Sequence, residues 1–237
     1  KNFWDKHWSV NRSAILKMKN TKRTFVSDLT KKWLDSTDGM ILEGGSGTGQ
    51  HVAALQNNGF NVIGVDFAEK TVQLINEFAP ELDVVVGDVR SLPFEDSAFK
   101  AYWSLGVIEH FESGYMDIAL EMKRVIQDEG FLFLAFPYMS KIRALKGLLN
   151  LYPKTKDSDK KFYQYALNTD VVIRDFEKLG FSLKNYYPIA GLKGLKDEVP
   201  ILEKFILLFT RYKGKNYFIR FLRKLFEKFS LFFSAHS

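Results

Sequence analysis

The sequence predicts an α/β fold, with a doubly wound, mostly parallel sheet of about six to seven strands and helices on both faces. Three observations carry that reading. Short apolar runs alternate with segments of helical periodicity between residues 40 and 137. Four glycines, Gly44, Gly45, Gly47 and Gly49, stand directly after the apolar run Met40-Ile41-Leu42 and just before a helical pattern at Val52, Ala53 and Leu55. Glycine tolerates positive φ and lets another molecule approach the backbone. A strand, a glycine turn and a helix start therefore suit a nucleotide-like ligand, with free N–H groups expected to point into the turn. Finally, Glu43, Asp66 and Asp88 fall at the ends of three successive apolar runs. An open α/β sheet binds its ligand along that carboxyl edge.

The elements follow in order. Residues 1–38 read as an N-terminal helical cap: Phe3, Trp4 and Trp8 open it, and Phe25, Leu29, Trp33 and Leu34 recur at helical spacing. Asp38-Gly39 is a turn signal. Strands are expected at 40–44, 61–65, 82–86, 99–104 and 131–136, and a sixth at 181–187. Helices are expected between them at 49–58, 68–78 (ended by Pro80) and 114–127. Residues 138–168 read as an insertion with one short amphipathic helix carrying Ile142, Leu145, Leu148 and Leu149, then a charged loop at 154–161. Asn168 is placed to cap a helix running to Leu179. The organisation expected is a cap at 1–38, a ligand-binding domain at 39–190 with the 138–168 insertion, and a helical extension at 191–237. The extension repeats apolar residues at Ile201, Leu202, Phe205, Ile206, Phe209 and Tyr212, and again at Phe218, Phe221, Leu222, Leu225, Phe229 and Phe232. Arg220, Arg223, Lys224 and Lys228 lie on the opposite face of the second set.

Composition narrows the chemistry. The 237 residues contain no cysteine, which excludes disulfides, thiolate metal sites and a cysteine nucleophile. The four histidines form no ligand-spaced cluster, and no metal is expected. The net charge of +6 is uneven: residues 1–140 carry 14 Lys and Arg against 19 Asp and Glu, residues 141–237 carry 20 against 9. The basic part suits an anionic substrate, an anionic membrane surface or nucleic acid, or is simply a solvated face. A basic, Phe-rich amphipathic segment over 201–233 fits peripheral contact at a membrane's inner face. No apolar run approaches the roughly 18 residues of a membrane span, so a cytoplasmic location is expected.

The glycine order is G-x-G-x-G, not the G-x-G-x-x-G of a dinucleotide site. With Glu43 two residues ahead, it resembles the first motif of class I S-adenosylmethionine (SAM)-dependent methyltransferases. Leu92-Pro93-Phe94, Gly106-Val107-Ile108-Glu109-His110 and Arg124-Val125-Ile126 running to Gly130 resemble the small-molecule group of that class. The likeness is close over 40–137 and looser over 160–190. Lys100 departs from the family, which has Asp after the Phe, and Gly44 is small enough to loosen the first turn.

The resemblance implies a Rossmann-like domain and SAM as methyl donor, leaving S-adenosylhomocysteine (SAH). It implies a cofactor site of Glu43, Gly45, Ser46, Gly47, Thr48, Gly49, Asp66, Phe67, Asp88, Val89, Ser104 and Leu105. Asp66, 23 residues after Glu43, would accept from the ribose hydroxyls, and Asp88 from the adenine amino group. Trp4, Trp8, His110, Tyr138, Tyr163 and Tyr165 are candidates for lining the substrate side, and equally suit packing. His110 is the best-placed general base, needed only if the acceptor must lose a proton; an imidazole bonded locally is the alternative. The acceptor implied is a small molecule, amphiphilic or anionic. Two rivals are a non-catalytic SAM-binding or membrane-associated scaffold and an NAD(P)-dependent oxidoreductase. Nucleic acid is disfavoured, because Ser104-Leu105-Gly106-Val107 stands where base-amino methyltransferases carry Asn/Asp-Pro-Pro-Tyr.

Overall fold

The computed structural model describes residues 11–152 and 163–189 together with Glu198, Phe221, Lys224 and Leu225. The chain divides into two compact units, Lys1–Leu134 and Ala135–Ser237. The first contains helices α1 (Arg12–Met18), α2 (Phe25–Trp33), α3 (Gln50–Gln56), α4 (Glu69–Phe78) and α5 (Met116–Val125). Its strands are β1 (Ile41–Gly44), β2 (Val62–Asp66), β3 (Val84–Val86), β4 (Phe99–Leu105) and β5 (Ile126–Ala135), which ends at the unit boundary. They form one sheet in the order β3-β2-β1-β4-β5, with β1 parallel to both β2 and β4 and β2 parallel to β3.

This order reverses direction at β1, which pairs on one side with β2 and on the other with β4. The central strands β1, β2 and β4 are buried along nearly their whole length because helices cover both faces. On one face Ile41, Val62, Val84, Ala101 and Trp103 join Ile15 and Met18 of α1, Val26 of α2, Val52 and Leu55 of α3, and Val72 and Ile75 of α4 in a single core. Trp103 stacks on Phe133 at 4.3 Å and donates its Nε1–H to Thr30 Oγ1 at 3.0 Å. The other face is that of α5, whose Ile118, Ala119, Met122 and Val125 are buried. Tyr102 points there, close enough for its hydroxyl to feel the charge of Glu121.

The described residues of the expected N-terminal helical cap form two helices, α1 and α2. Thr24 interrupts it, its side chain accepting from Ser27 N while Ser27 Oγ accepts from Thr24 N, a capping box that starts α2 afresh. Asn57 at the end of α3 donates to the carbonyls of Lys19 and Thr21, both at 2.9 Å, and so ties the α1–α2 connection to the sheet layer.

In the second unit Ser140 caps α6 (Lys141–Leu148) and Asn168 caps α7 (Thr169–Lys178) through its side-chain oxygen. Tyr138 and Leu167 bridge in parallel. The six to seven strands expected from the sequence are five among the described residues. The segment 181–187 is not a strand: Ser182 to Tyr187 are exposed and no ladder receives them. Its alternation of Phe181 and Leu183 with polar residues satisfies a strand pattern, but a strand forms only where a neighbour accepts its backbone bonds. The expected charged loop at 154–161 and the aromatic repeats of the tail, apart from Phe221, Lys224 and Leu225, lie outside the described residues.

Candidate active site

The three acids predicted from strand ends converge on one edge of the first unit. Glu43 lies in β1, Asp66 ends β2, and Asp88 follows β3. The turn between β1 and α3 takes positive φ at Gly45 (77°), Gly47 (53°) and Gly49 (74°), values that L side chains rarely adopt. Gly45 has a second reason to be glycine: a Cβ there would overlap the Val107 side chain. Gly44 does not loosen the turn. A Cβ at residue 44 would overlap the Tyr102 hydroxyl, so the missing side chain is the space that Tyr102 fills.

The turn's own hydrogen bonds correct one expectation. Gly45 and Ser46 donate their N–H groups to Val65 O at 2.8 and 3.0 Å, and Gly49 donates to Ser46 O at 2.9 Å. Gly47 N–H donates to Asp66 Oδ2 at 2.6 Å. Those amides stabilise the turn itself and do not open onto a ligand. The turn is not a phosphate cradle, which would need free N–H groups converging on an anion.

Carboxylates supply the recognition instead. Asp66 is buried and uses Oδ1 to accept from Ala68 N at 2.8 Å, so the turn and the start of α4 are pinned by one side chain. Glu43 is 2% exposed, and its Oε2 accepts no hydrogen bond among the described residues. Burial raises its pKa to about 8, opposed by a bond from the Val52 backbone and reinforced by the negative charge of Asp66. Ser46 Oγ and Ser104 Oγ are likewise buried without a partner among the described residues. Such atoms cost free energy until something bonds them.

Asp88 is differently placed. Its carboxylate pairs with Arg90, Oδ2 to Nη2 at 2.6 Å, and accepts the Arg90 backbone N–H at 2.9 Å. Those bonds hold its pKa below the usual carboxylate range. The Arg90 guanidinium also lies over the Phe111 ring at 5.2 Å, linking the loop after β3 to the loop after β4. Sequence reasoning missed Arg90, for which an Arg two residues from an Asp in a loop was the available signal.

Beyond β4, Ile108–His110 form a single 3-10 turn. Glu109 is 2% exposed, and its Oε1 lies 3.9 Å from His110 Nε2. His51, near the start of α3, meets Phe25 edge-on at 5.7 Å, and burial lowers its pKa to about 4, so it is neutral at physiological pH. Lys100 sits at the opposite, N-terminal end of β4 and donates to Glu129 O at 2.9 Å. Leu105 ends β4, Phe67 follows Asp66, and Val89 follows Asp88, all on the edge that carries the acids. Thr48 is part of the glycine turn. Tyr138, Tyr163 and Tyr165 belong to the second unit, where Tyr163 and Tyr165 are exposed. Trp4 and Trp8 lie outside the described residues.

A parallel α/β sheet with an acid-lined glycine turn at its switch point defines a class of nucleoside-binding domains. Residues 42–134 match the family model described as "Methyltransferase domain". The chain is 26% identical over 174 residues to a protein named as a methyltransferase in Encephalitozoon cuniculi, covering 70% of this chain and 72% of that one. Among solved structures it resembles magnesium protoporphyrin IX methyltransferase of Synechocystis with bound SAH, at TM-score 0.55, 18% identity and coverage of 73% and 77%. It also resembles a methyltransferase seen in complex with the Trm112 methyltransferase activator of Haloferax volcanii, at TM-score 0.56, 16% identity and 76% coverage of each chain. Residues 42–134 are thus similar to a methyltransferase domain, and the chain shares the Rossmann-like fold of the solved methyltransferases it resembles.

SAM passes a test of fit on the residues themselves. It carries donors in an ammonium, ribose hydroxyls and an adenine amino group, one carboxylate, and no phosphate. The site offers buried acceptors and a turn whose described amides are already bonded.

Proposed function

We propose that the chain transfers a methyl group from SAM to a small-molecule acceptor, anionic or amphiphilic. The observation that carries the reading is the unsatisfied, buried oxygen of Glu43 beside the glycine turn. An ammonium donor at that oxygen would offset its desolvation and draw off its proton. In this reading Asp66 accepts from the ribose and Asp88 from adenine. Gly45 to Gly49 shape the turn, and Phe67, Val89, Ser104 and Leu105 complete the walls. The bound cofactor supplies the electrophilic methyl; the chain aligns the acceptor and excludes water, which lowers the barrier without further chemistry. Where the acceptor carries a proton, His110 Nε2 accepts it, and the buried Glu109 carboxylate favours the resulting imidazolium. The roles of Trp4, Trp8, Tyr138, Tyr163 and Tyr165 on the acceptor side, and a membrane contact through 201–233 of a cytoplasmic protein, rest on the sequence.

The same observations weigh against an NAD(P) oxidoreductase, whose pyrophosphate needs the amides that this turn has already used. A silent SAM-binding scaffold would share this site but transfer no methyl group. Titration calorimetry with SAH tests the site, and single-turnover transfer from labelled SAM to a metabolite panel tests the activity. Micromolar SAH binding with transfer to one anionic or amphiphilic compound is expected. Binding without transfer to any compound would leave the scaffold reading standing, and no binding would overturn both.

A further inference from the structure

Helix α6 is built inside out. Its charged side chains Arg143 and Lys146 turn inward, where Arg143 is 8% exposed. Both converge on Glu198: Arg143 Nε to Oε1 at 2.7 Å, and Lys146 Nζ to Oε2 at 2.9 Å. The Tyr152 hydroxyl donates to the same Oε2 at 2.8 Å, and Arg143 Nη1 donates to Tyr138 O at 2.8 Å. A carboxylate with so many donors is held ionised and in place. The helix is therefore anchored through its polar side, and its apolar side is left outward. Leu145 is 56% exposed, Leu148 80% and Leu149 55%, and Leu151 just beyond the helix is 60% exposed. At spacings of three and four residues the three helical leucines form one stripe. An ordinary surface helix has the reverse orientation, and a contiguous apolar patch of this kind marks an interaction site.

Charge decides the occupant. Residues 141–237 carry 20 Lys and Arg against 9 Asp and Glu, so the part of the chain that bears the leucine stripe is strongly cationic. Lys141 is exposed at the N-terminal end of the same face. A leucine stripe with an exposed lysine at one end, carried on a net-cationic segment, suits a surface that is apolar in depth and anionic at its rim. We propose that the α6 stripe Leu145, Leu148, Leu149 and Leu151 inserts into the interfacial layer of an anionic lipid bilayer. The Arg143–Lys146–Glu198 cluster holds the helix in the orientation that exposes those leucines. No helix among the described residues is long and apolar enough to cross a membrane, so the contact is one of lying on the surface. The proposal rests on α6 rather than on the 201–233 segment and does not depend on the cofactor reading.

Vesicle co-sedimentation of the full chain tests it, using phosphatidylcholine vesicles with and without one quarter phosphatidylglycerol. Wild type is expected to sediment with the anionic vesicles and to be released by high salt. Leu148→Asp/Leu149→Asp, which keeps the whole tail, should lower the partition coefficient tenfold or more with an unchanged thermal melt by circular dichroism. Because both positions are exposed, the fold should survive; Leu148→Ser/Leu149→Ser serves as the milder pair if the melt shifts. Failure of wild type to sediment, or equal sedimentation of the leucine variants, would overturn the proposal. So would a Leu148-dependent dimer in sedimentation velocity, which would give the stripe to a second copy of the chain.

Discussion

Two buried glutamates, one in each unit, behave in opposite ways. Glu198 in the second unit is surrounded by Arg143, Lys146 and Tyr152, and side-chain bonds from these groups hold its pKa below the usual range despite its burial. Glu43 in the first unit is the more deeply buried of the two, and it keeps an oxygen with no partner among the described residues and a pKa raised to about 8. A carboxylate whose partners come from its own chain is part of the architecture. A carboxylate left short of donors in a well-packed core is the feature on which the proposed SAM site rests.

Replacing each acid in turn should sharpen this contrast. The largest effect is expected for Glu198→Ala, which leaves the Arg143 guanidinium buried and unpaired; stability should fall by about 3 kcal/mol, read by urea unfolding. A loss below 1 kcal/mol would mean the cluster behaves as a surface pair. Next comes Asp66→Ala, which releases both Gly47 and Ala68 and removes the proposed ribose acceptor. SAH affinity should drop about a hundredfold by calorimetry, and a change under threefold would detach Asp66 from the site.

Glu43 gives an effect of opposite sign. Without cofactor its folded-state pKa of about 8 lies above the ordinary value of 4.5. The folded chain therefore binds the proton more tightly than the unfolded chain. The stabilisation is full below the ordinary value and is lost as pH rises through about 8. Between pH 5 and pH 8.5 wild type should lose stability relative to Glu43→Gln, whose side chain does not titrate. SAH binding at pH 7 should also release a proton, seen as a buffer-dependent enthalpy that Glu43→Gln abolishes. The smallest effect is expected at Tyr102, whose buried hydroxyl has no partner among the described residues. Tyr102→Phe should be neutral or stabilise by up to about 1 kcal/mol in thermal melts, whereas a loss of stability would reveal a bond that the hydroxyl makes.

Much of the first unit was legible in the sequence because its signals are local. Apolar runs, glycines at positive φ and an acid at each strand end are fixed by neighbours in the chain, so β1 to β4 and the order of Glu43, Asp66 and Asp88 along them followed from spacing, whereas β5 begins at Ile126, ahead of the expected 131. The segment at 181–187 failed as a strand for the converse reason. Its alternation is a permissive pattern, and pairing requires a partner edge that sequence order does not supply. The α6 stripe was visible as Leu145, Leu148 and Leu149, but an amphipathic helix read alone says nothing about which side faces in.

By itself, then, the sequence determined the alternation of strands and helices, the glycine turn and the acids that border it, since each depends on residues a few positions apart. Only the tertiary structure decided that the described turn amides are bonded within the chain, that Arg90 pairs with Asp88, that Gly44 makes room for Tyr102, and that α6 turns its charges inward to Glu198. Those outcomes depend on which groups meet across distant parts of the chain, where packing and the need to satisfy buried charge choose the partner.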